Sequence, residues 1–437
     1  MKIFKFVSCF FILLPSFLFS QQYEVTFSGT GSATIVDSVR VYNLNQGTSL
    51  VMPGYDTLIL SSTVGLYQHH IHKNSIKVYP NPVAERSTFE LVSVKEDNFF
   101  IKIIDISGRV HAFLQMNLCA GKHLLEFGGL NSGVYFLVIS SSEYIGFEKF
   151  IVFSDNKGAP FIYYSEKANI PPAKTTKTIH LMNYQTGDRI LFRGISGNYA
   201  RIVTLIATQD ETVDFLFLPC TDADNHHYSI VTIGTQTWMA ENLKTTKYND
   251  GTPIPYWAGG NGITTPAHTW YNGNPFSGDS LGYIGQYGML YNWYAVDTTS
   301  NGNKNPCPNG WRIPTNNEWI ILTNYLIDNG YNFDGTTSFN KVGKSLAATT
   351  TWDNHWTAGN VGTNPHLNNS TGFSGLGAGS RTSTGSCEFL GNRTRWWTST
   401  QTTSLEAFRL TIAYNSNLLY NDSFSKVFGH SVRCILE

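Results

Sequence analysis

The 437-residue chain is short of charge. Asp, Glu, Lys and Arg together make up 14% of it, and the formal net charge is −1. No block of Lys or Arg stands out, so neither nucleic-acid binding nor an electrostatic grip on acidic lipid is indicated. The six cysteines include no Cys-x-x-Cys pair, which argues against a zinc knuckle or a dithiol redox centre. No His-Glu-x-x-His pair is present, so a zinc-protease site lacks its signature. Past residue 20 no apolar run is long enough to span a bilayer.

What is present points to strands and turns. Aromatic residues reach 14%, and 39 glycines accompany abundant Ser, Thr and Asn, a composition suited to β-rich extracellular domains. At this length two to four domains are expected, each with its own core. The first twenty residues read as a signal peptide: Lys2 and Lys5 supply charge, Phe6 to Phe19 the apolar core, and Ser20 the small residue before a cut at Gln21. No Cys follows that cut, so lipoprotein anchoring is not indicated. Export is expected, to the cell surface or beyond it. Five cysteines then remain, and an odd number leaves at least one unpaired in an oxidising compartment.

Residues 21–75 alternate in short runs. Tyr23, Val25 and Phe27 share one side and Val39 and Val41 repeat the pattern, with turns at Gly29-Thr30-Gly31 and Asn45-Gln46-Gly47. They predict a small N-terminal β-domain. His69, His70 and His72 cluster at its end, but histidines on a polar linker do not make convergent ligands, so no metal or cofactor is expected. Residues 155–219 read as a linker and then a β-element around Ile190-Leu191-Phe192 and Val213-Asp214-Phe215-Leu216-Phe217. That element could complete the N-terminal sandwich around an inserted segment.

Residues 76–154 hold three motifs in order: Tyr79-Pro80-Asn81-Pro82, Asp105-Ile106-Ser107-Gly108-Arg109-Val110, and the run from Leu130 to Val138. Pro80 and Pro82 hold an extended entry, Ser107-Gly108 is a hairpin turn, and Gly133 starts an alternating strand. The segment resembles the sorting domain of the type IX secretion system, an immunoglobulin-type β-sandwich, which implies contact with secretion machinery during export. Such a domain normally ends a chain and is cleaved. Here about 280 residues follow it, so it is expected to fold but to stay in place.

The last half is organised around the stretch from Cys307 to Trp319. Pro314 fixes a helix entry, Thr315 is a good N-cap, and Glu318 sits where it can reach back to complete a capping box. Trp319, Leu322 and Leu326 then recur at helical spacing. Four further motifs flank it: Ile233 to Leu243, Tyr287 to Val296, Trp396-Trp397-Thr398-Ser399-Thr400 and Ser431-Val432-Arg433-Cys434. In this order the five resemble the Fibrobacter succinogenes major paralogous domain of surface and secreted proteins in Bacteroidetes and related bacteria. Arg312-Ile313-Pro314-Thr315 with Glu318-Trp319 also resembles the helix entry of formylglycine-generating enzymes. The resemblance implies a C-type lectin-like domain over residues 220–437. The fold class expected for the whole chain is mainly β and multi-domain, with small β-sandwiches followed by that α+β lectin-like domain.

The resemblance implies a disulfide between Cys307 and Cys434, because lectin-like domains hold their two ends side by side. Cys220 with Cys387 is a second pairing left open, with Cys119 over. Asp222-Ala223-Asp224-Asn225 has the start of a calcium loop but no downstream Gly and Glu, so a hairpin turn is expected. The Glu-Pro-Asn, Gln-Pro-Asp and Trp-Asn-Asp motifs of calcium-dependent lectins are absent. The stretch that would carry the paired copper-binding cysteines of formylglycine-generating enzymes, Gly375 to Gly391, holds Cys387 alone. No catalytic residue is assigned.

The remaining signal is aromatic. Trp257, Trp270, Tyr271, Trp352 and Trp356 lie in Gly-, Asn- and Thr-rich stretches, where exposed rings flanked by amides would stack on sugars. The expected function is a non-catalytic binding or adhesion module whose partner is a polysaccharide or another surface protein. A structural envelope protein without a small ligand is the first alternative, and an oxidoreductase like the formylglycine-generating enzymes the second.

Overall fold

The computed structural model describes residues 22–62, 76–93, 97–119, 121–141, 145–154, 159–167, 178–271 and 280–437. The signal-peptide reading and the His69, His70 and His72 cluster lie outside these residues. The chain divides into two units, Met1–Val64 with Lys177–Glu437, and Gly65–Thr176. Both are built mainly from strands.

The inner unit is a sandwich of two four-stranded antiparallel sheets. One holds Phe161–Lys167, Gly121–Gly128, Arg86–Ser93 and Lys77–Tyr79 in that order, the other Ile145–Val152, Gly133–Ser140, Asp97–Asp105 and Val110–Leu118. The period of two sends alternate residues inward, so Phe89, Leu125 and Phe127 from one sheet meet Ile101, Ile103, Leu137 and Phe150 from the other. At the Ser107-Gly108 turn, Gly108 takes φ +84° and donates its N–H to the Asp105 carbonyl at 3.0 Å. The linker reading of the residues after 154 is corrected in one respect: Phe161–Lys167 is an eighth strand of this sandwich, paired with Gly121–Gly128. Its alternating Phe161, Tyr163 and Ile162, Tyr164 carry the pattern that the nearby prolines hid.

In the outer unit, strands on both sides of the inner one combine. Gln22–Gly31 pairs in parallel with Glu211–Phe217 and antiparallel with Thr57–Ser61, and Thr57–Ser61 pairs in parallel with Ile179–Asn183. This four-stranded sheet packs on one end of a long sheet. Residues 22–61 and 179–217 therefore form one sandwich, with Val25, Val39, Leu58, Phe192, Val213 and Phe215 in its core. Gly194 is required there, since a Cβ on it would lie 2.6 Å from the Phe215 ring.

The long sheet has eight strands, in the order Trp311–Arg312, Ile435–Leu436, Gln236–Met239, Ser229–Ile233, Tyr199–Ile206, Arg189–Ser196, Ser38–Asn43 and Thr48–Pro53. It runs without a break from the sandwich into the C-terminal region. Its two faces serve three cores. Ile190 and Phe192 point into the sandwich, and Ile230 and Met239 into a second core with Trp293, Trp311 and Trp397. Leu191, Ile202, Val231 and Trp238 point the other way, into a core shared with the helix Asn316–Asp328. A five-stranded sheet of Cys387–Leu390, Ala378–Arg381, Arg393–Gln401, Glu406–Ala413 and Tyr420–Ser425 completes the region. In it Trp396 and Trp397, being adjacent, enter opposite cores.

Candidate functional site

The five sequence motifs meet in the interior. Asn242 joins four of them. Its Oδ1 accepts from Trp396 Nε1 at 2.9 Å and Arg433 Nε at 3.0 Å, and its Nδ2 donates to the Tyr287 carbonyl at 2.9 Å. Trp397 Nε1 donates to the Tyr291 carbonyl and Trp293 Nε1 to the Thr398 carbonyl. Arg433 is fully buried, its guanidinium stacked 4.3 Å from the Phe373 ring and donating to the carbonyls of Phe373 and Ser374. These residues are scaffold. Each is satisfied by another, and none presents a group outward.

The helix entry forms as its local chemistry dictates. Thr315 accepts from the Glu318 N–H, and Glu318 accepts from the Thr315 N–H at 2.8 Å, the reciprocal bonds of a capping box. Arg312 adds a two-pronged ion pair to Glu318. Trp319, Leu322 and Leu326 are fully buried. Cys307 and Cys434 are disulfide-bonded with Cα atoms 5.9 Å apart. Cys220 and Cys387 do not bond to each other: Cys220 is a buried thiol whose pKa burial pushes well up, and the Cys387 sulfur lies 3.9 Å from the Trp270 carbonyl. Asp222 to Asn225 is a turn, with Asn225 at φ +66° and Asp222 Oδ1 accepting from the Asp224 and His226 N–H groups.

Three of the five aromatic candidates are turned inward, and a fourth, Tyr271, is half-buried. Trp257 is 2% exposed, with the Arg381 guanidinium 3.4 Å over its ring. Trp270 stacks on Tyr256 at 4.9 Å, and Tyr271 is half-buried against Gly379 and Tyr283. These three gather around the strand Ala378–Arg381. Trp352 is 8% exposed, in the helix-side core, and donates Nε1 to the Gly375 carbonyl. The physical reason is common to the three buried tryptophans. An irregular segment has no ladder of backbone bonds, so its rings are spent pinning it down. The stacking role read for Trp257, Trp270 and Trp352 is corrected accordingly, because protein covers the faces a sugar would need; Tyr271 remains half-buried.

Trp356 is different. It is 87% exposed and stacks on His355 at 4.5 Å, with ring planes 13° apart. His355 is held in turn: its Nδ1 accepts from the Thr357 N–H at 3.1 Å, and its ring meets Tyr414 edge-on. The loop beneath is tied to the five-stranded sheet by Gly362 N–H to the Tyr414 carbonyl at 2.7 Å. Gly359 turns at φ +84°, and a Cβ there would lie 2.5 Å from the Phe333 ring. The loop that carries Phe333 also exposes Phe339, at 82%. Apolar rings thus stand outward on two touching, well-anchored loops.

Lys344 is the anchor that the sequence reading missed. It is buried and donates from Nζ to the carbonyls of Thr363 at 2.6 Å, Asn360 at 3.3 Å and Asn364 at 3.4 Å, all in the Trp356 loop. The signal was a lysine inside the apolar run Val342 to Ala348. Burial pulls its pKa down to about 8, against an ordinary value of 10.5. Below about pH 8 both folded and unfolded chains hold the proton and the effect is constant. From there to about 10.5 the unfolded chain keeps the proton that the folded one has released, so stability rises with pH. Urea titrations should therefore show the wild type gaining on Lys344→Met across that window. A gap that stays constant with pH would contradict the burial of this charge.

One pattern passed over in the sequence is Gly278-Asp279-Ser280-Leu281-Gly282, which has the spacing of a nucleophile elbow. That motif needs a strand leading into the serine. Residues 272–279 lie outside the described residues, so the pattern carries no assignment.

Residues 231–436 match the Fibrobacter succinogenes major domain, and residues 77–153 the secretion system C-terminal sorting domain. No curated protein and no solved structure matches the chain. The sorting domain marks an exported protein, at the cell surface or extracellular, that engages secretion machinery on its way out. Among the described residues no helix is long and apolar enough to cross a membrane.

Proposed function

We propose that this exported protein is a binding protein, that residues 220–437 are its non-catalytic, lectin-like module, and that polysaccharide is the ligand. The observation that carries this reading is Trp356, an indole held almost wholly in solvent on a loop fixed by Lys344, Gly359 and His355. An exposed, pre-positioned ring offers apolar area with little entropy to lose, which suits stacking on a sugar face. The lectin-like reading is supported by the meeting of the region's two ends, where Trp238 pairs with Ile435 and Trp311 with Leu436 beside the disulfide. The single thiol between Gly375 and Gly391 supports the non-catalytic reading, since a two-thiolate copper site needs a second.

A glycan array probed with the chain from Gln22 onward tests the proposal. Binding is expected, and Trp356→Ala should weaken it by roughly tenfold, the worth of one good aromatic contact. Trp352→Phe, a change inside the core, should leave it within about twofold. An array without binding, or equal affinity for Trp356→Ala, would overturn the polysaccharide reading and favour a structural role in the envelope.

A further inference from the structure

A cavity of about 390 Å³ lies where the long sheet faces the C-terminal loops. Leu44, Leu191, Ile202, Ala348 and Leu376 supply the apolar part of the lining. The size, and a lining that mixes these apolar residues with polar ones, are those of a small-molecule site.

Two charged side chains stand in the wall, and they are not equally committed. Glu241 accepts from the Ser229 N–H at 2.9 Å through Oε1 and from Lys244 Nζ at 3.0 Å through Oε2, so its charge is met from its own surroundings. Arg193 donates Nε to Ser229 Oγ at 3.0 Å, which aims the guanidinium. Its Nη2 stays 3.9 Å from Glu241, beyond hydrogen-bond range. Among the described residues neither Nη group makes a hydrogen bond. The hydroxyls of Thr349 and Thr350, also in the lining, make none either.

The lining carries one positive and one negative charge; Glu241 is already met by Lys244 and the Ser229 N–H, and the uncommitted donors belong to the planar guanidinium of Arg193. That geometry takes a carboxylate with two parallel hydrogen bonds. We infer that the cavity binds a small monocarboxylic acid with an apolar body. The carboxylate meets the Arg193 Nη groups and the body lies on Leu44, Leu191 and Ile202. This inference is independent of the polysaccharide reading, because no residue of the Trp356 loop lines the cavity.

The probes are 4-methylpentanoate and its primary amide, which share a body and differ in charge. Calorimetric titration of the chain from Gln22 onward is expected to show the acid binding at least tenfold more tightly than the amide. In Arg193→Gln the acid should fall to the level of the amide, with the melting temperature reported alongside. Thr350→Phe, placed at the exposed rim, should weaken acid and amide together while leaving the fold alone. Equal binding of acid and amide, binding unchanged in both variants, or no binding of the acid at millimolar concentration would each overturn the assignment.

Discussion

Arg433→Ala is expected to destabilise the outer unit by about 3–5 kcal/mol, the range for stripping one partner from a buried charged network. The guanidinium is fully buried and its pKa is drawn down by burial to about 9, so it remains charged at neutral pH. Its charge is met by oxygens of the backbone and of Asn242, and Glu241 adds a more distant negative charge. Alanine would orphan the carbonyls of Phe373 and Ser374 and leave a void between Phe373 and Trp396. Against a typical domain stability of about 5–15 kcal/mol, that loss is a large fraction. Lysine, with one nitrogen for several acceptors, should recover only part of it. Urea unfolding followed by tryptophan fluorescence is the measurement. A loss below about 1 kcal/mol would contradict the role given to this residue.

Cys307→Ser is expected to cost a similar amount by a different route. The bond joins residues 127 apart, and in the chain-entropy model a loop of that length is worth about 5 kcal/mol. It also ties the strand Ile435–Leu436, next to last in the long sheet, to the segment that leads through the edge strand Trp311–Arg312 into the capped helix. Both cysteines are almost wholly buried, so serine adds an unsatisfied hydroxyl to the loss. The melting temperature of the outer unit should fall markedly, and protease should cut between residues 330 and 395. Cys119→Ser, in the inner sandwich, should leave that transition in place. Peptide mapping without reduction checks the bond itself. A Cys307 peptide recovered free, or joined to Cys220 or Cys387, would contradict it.

How much of this was legible depended on the range of the forces involved. The capping box of Thr315 and Glu318 lies within four residues, and the period of Trp319, Leu322 and Leu326 within two turns, so both could be read directly. The inner sandwich showed in alternation and turns, apart from its last strand. The helix Ser280–Tyr287 did not show, because Gly282 and Gly285 make it a poor helix by propensity. Pairing of Gln22–Gly31 with Glu211–Phe217 joins residues about 186 apart, which no local pattern specifies. The fate of each tryptophan was equally opaque. Trp352 and Trp356 share one loop composition, yet one is in a core and the other in solvent. What separates them is the Gly375 carbonyl and the His355 ring, supplied by the fold. Arg193 and Glu241, 48 residues apart, come to one cavity wall only through the strand order of the long sheet.

The insertion of one unit within the sequence of the other bears on what cleavage around the sorting domain would do. Thr57–Ser61 leads toward the inner unit and Ile179–Asn183 follows it, and these two strands lie side by side in one sheet, each hydrogen-bonded to the other. Gln22–Gly31 is likewise zipped to Glu211–Phe217. Nicking the chain on both sides of the sorting domain would excise it without parting the remainder. The short amino-terminal piece would stay clasped in the sheet as a non-covalent partner, and maturation would change the number of polypeptides without changing what is displayed.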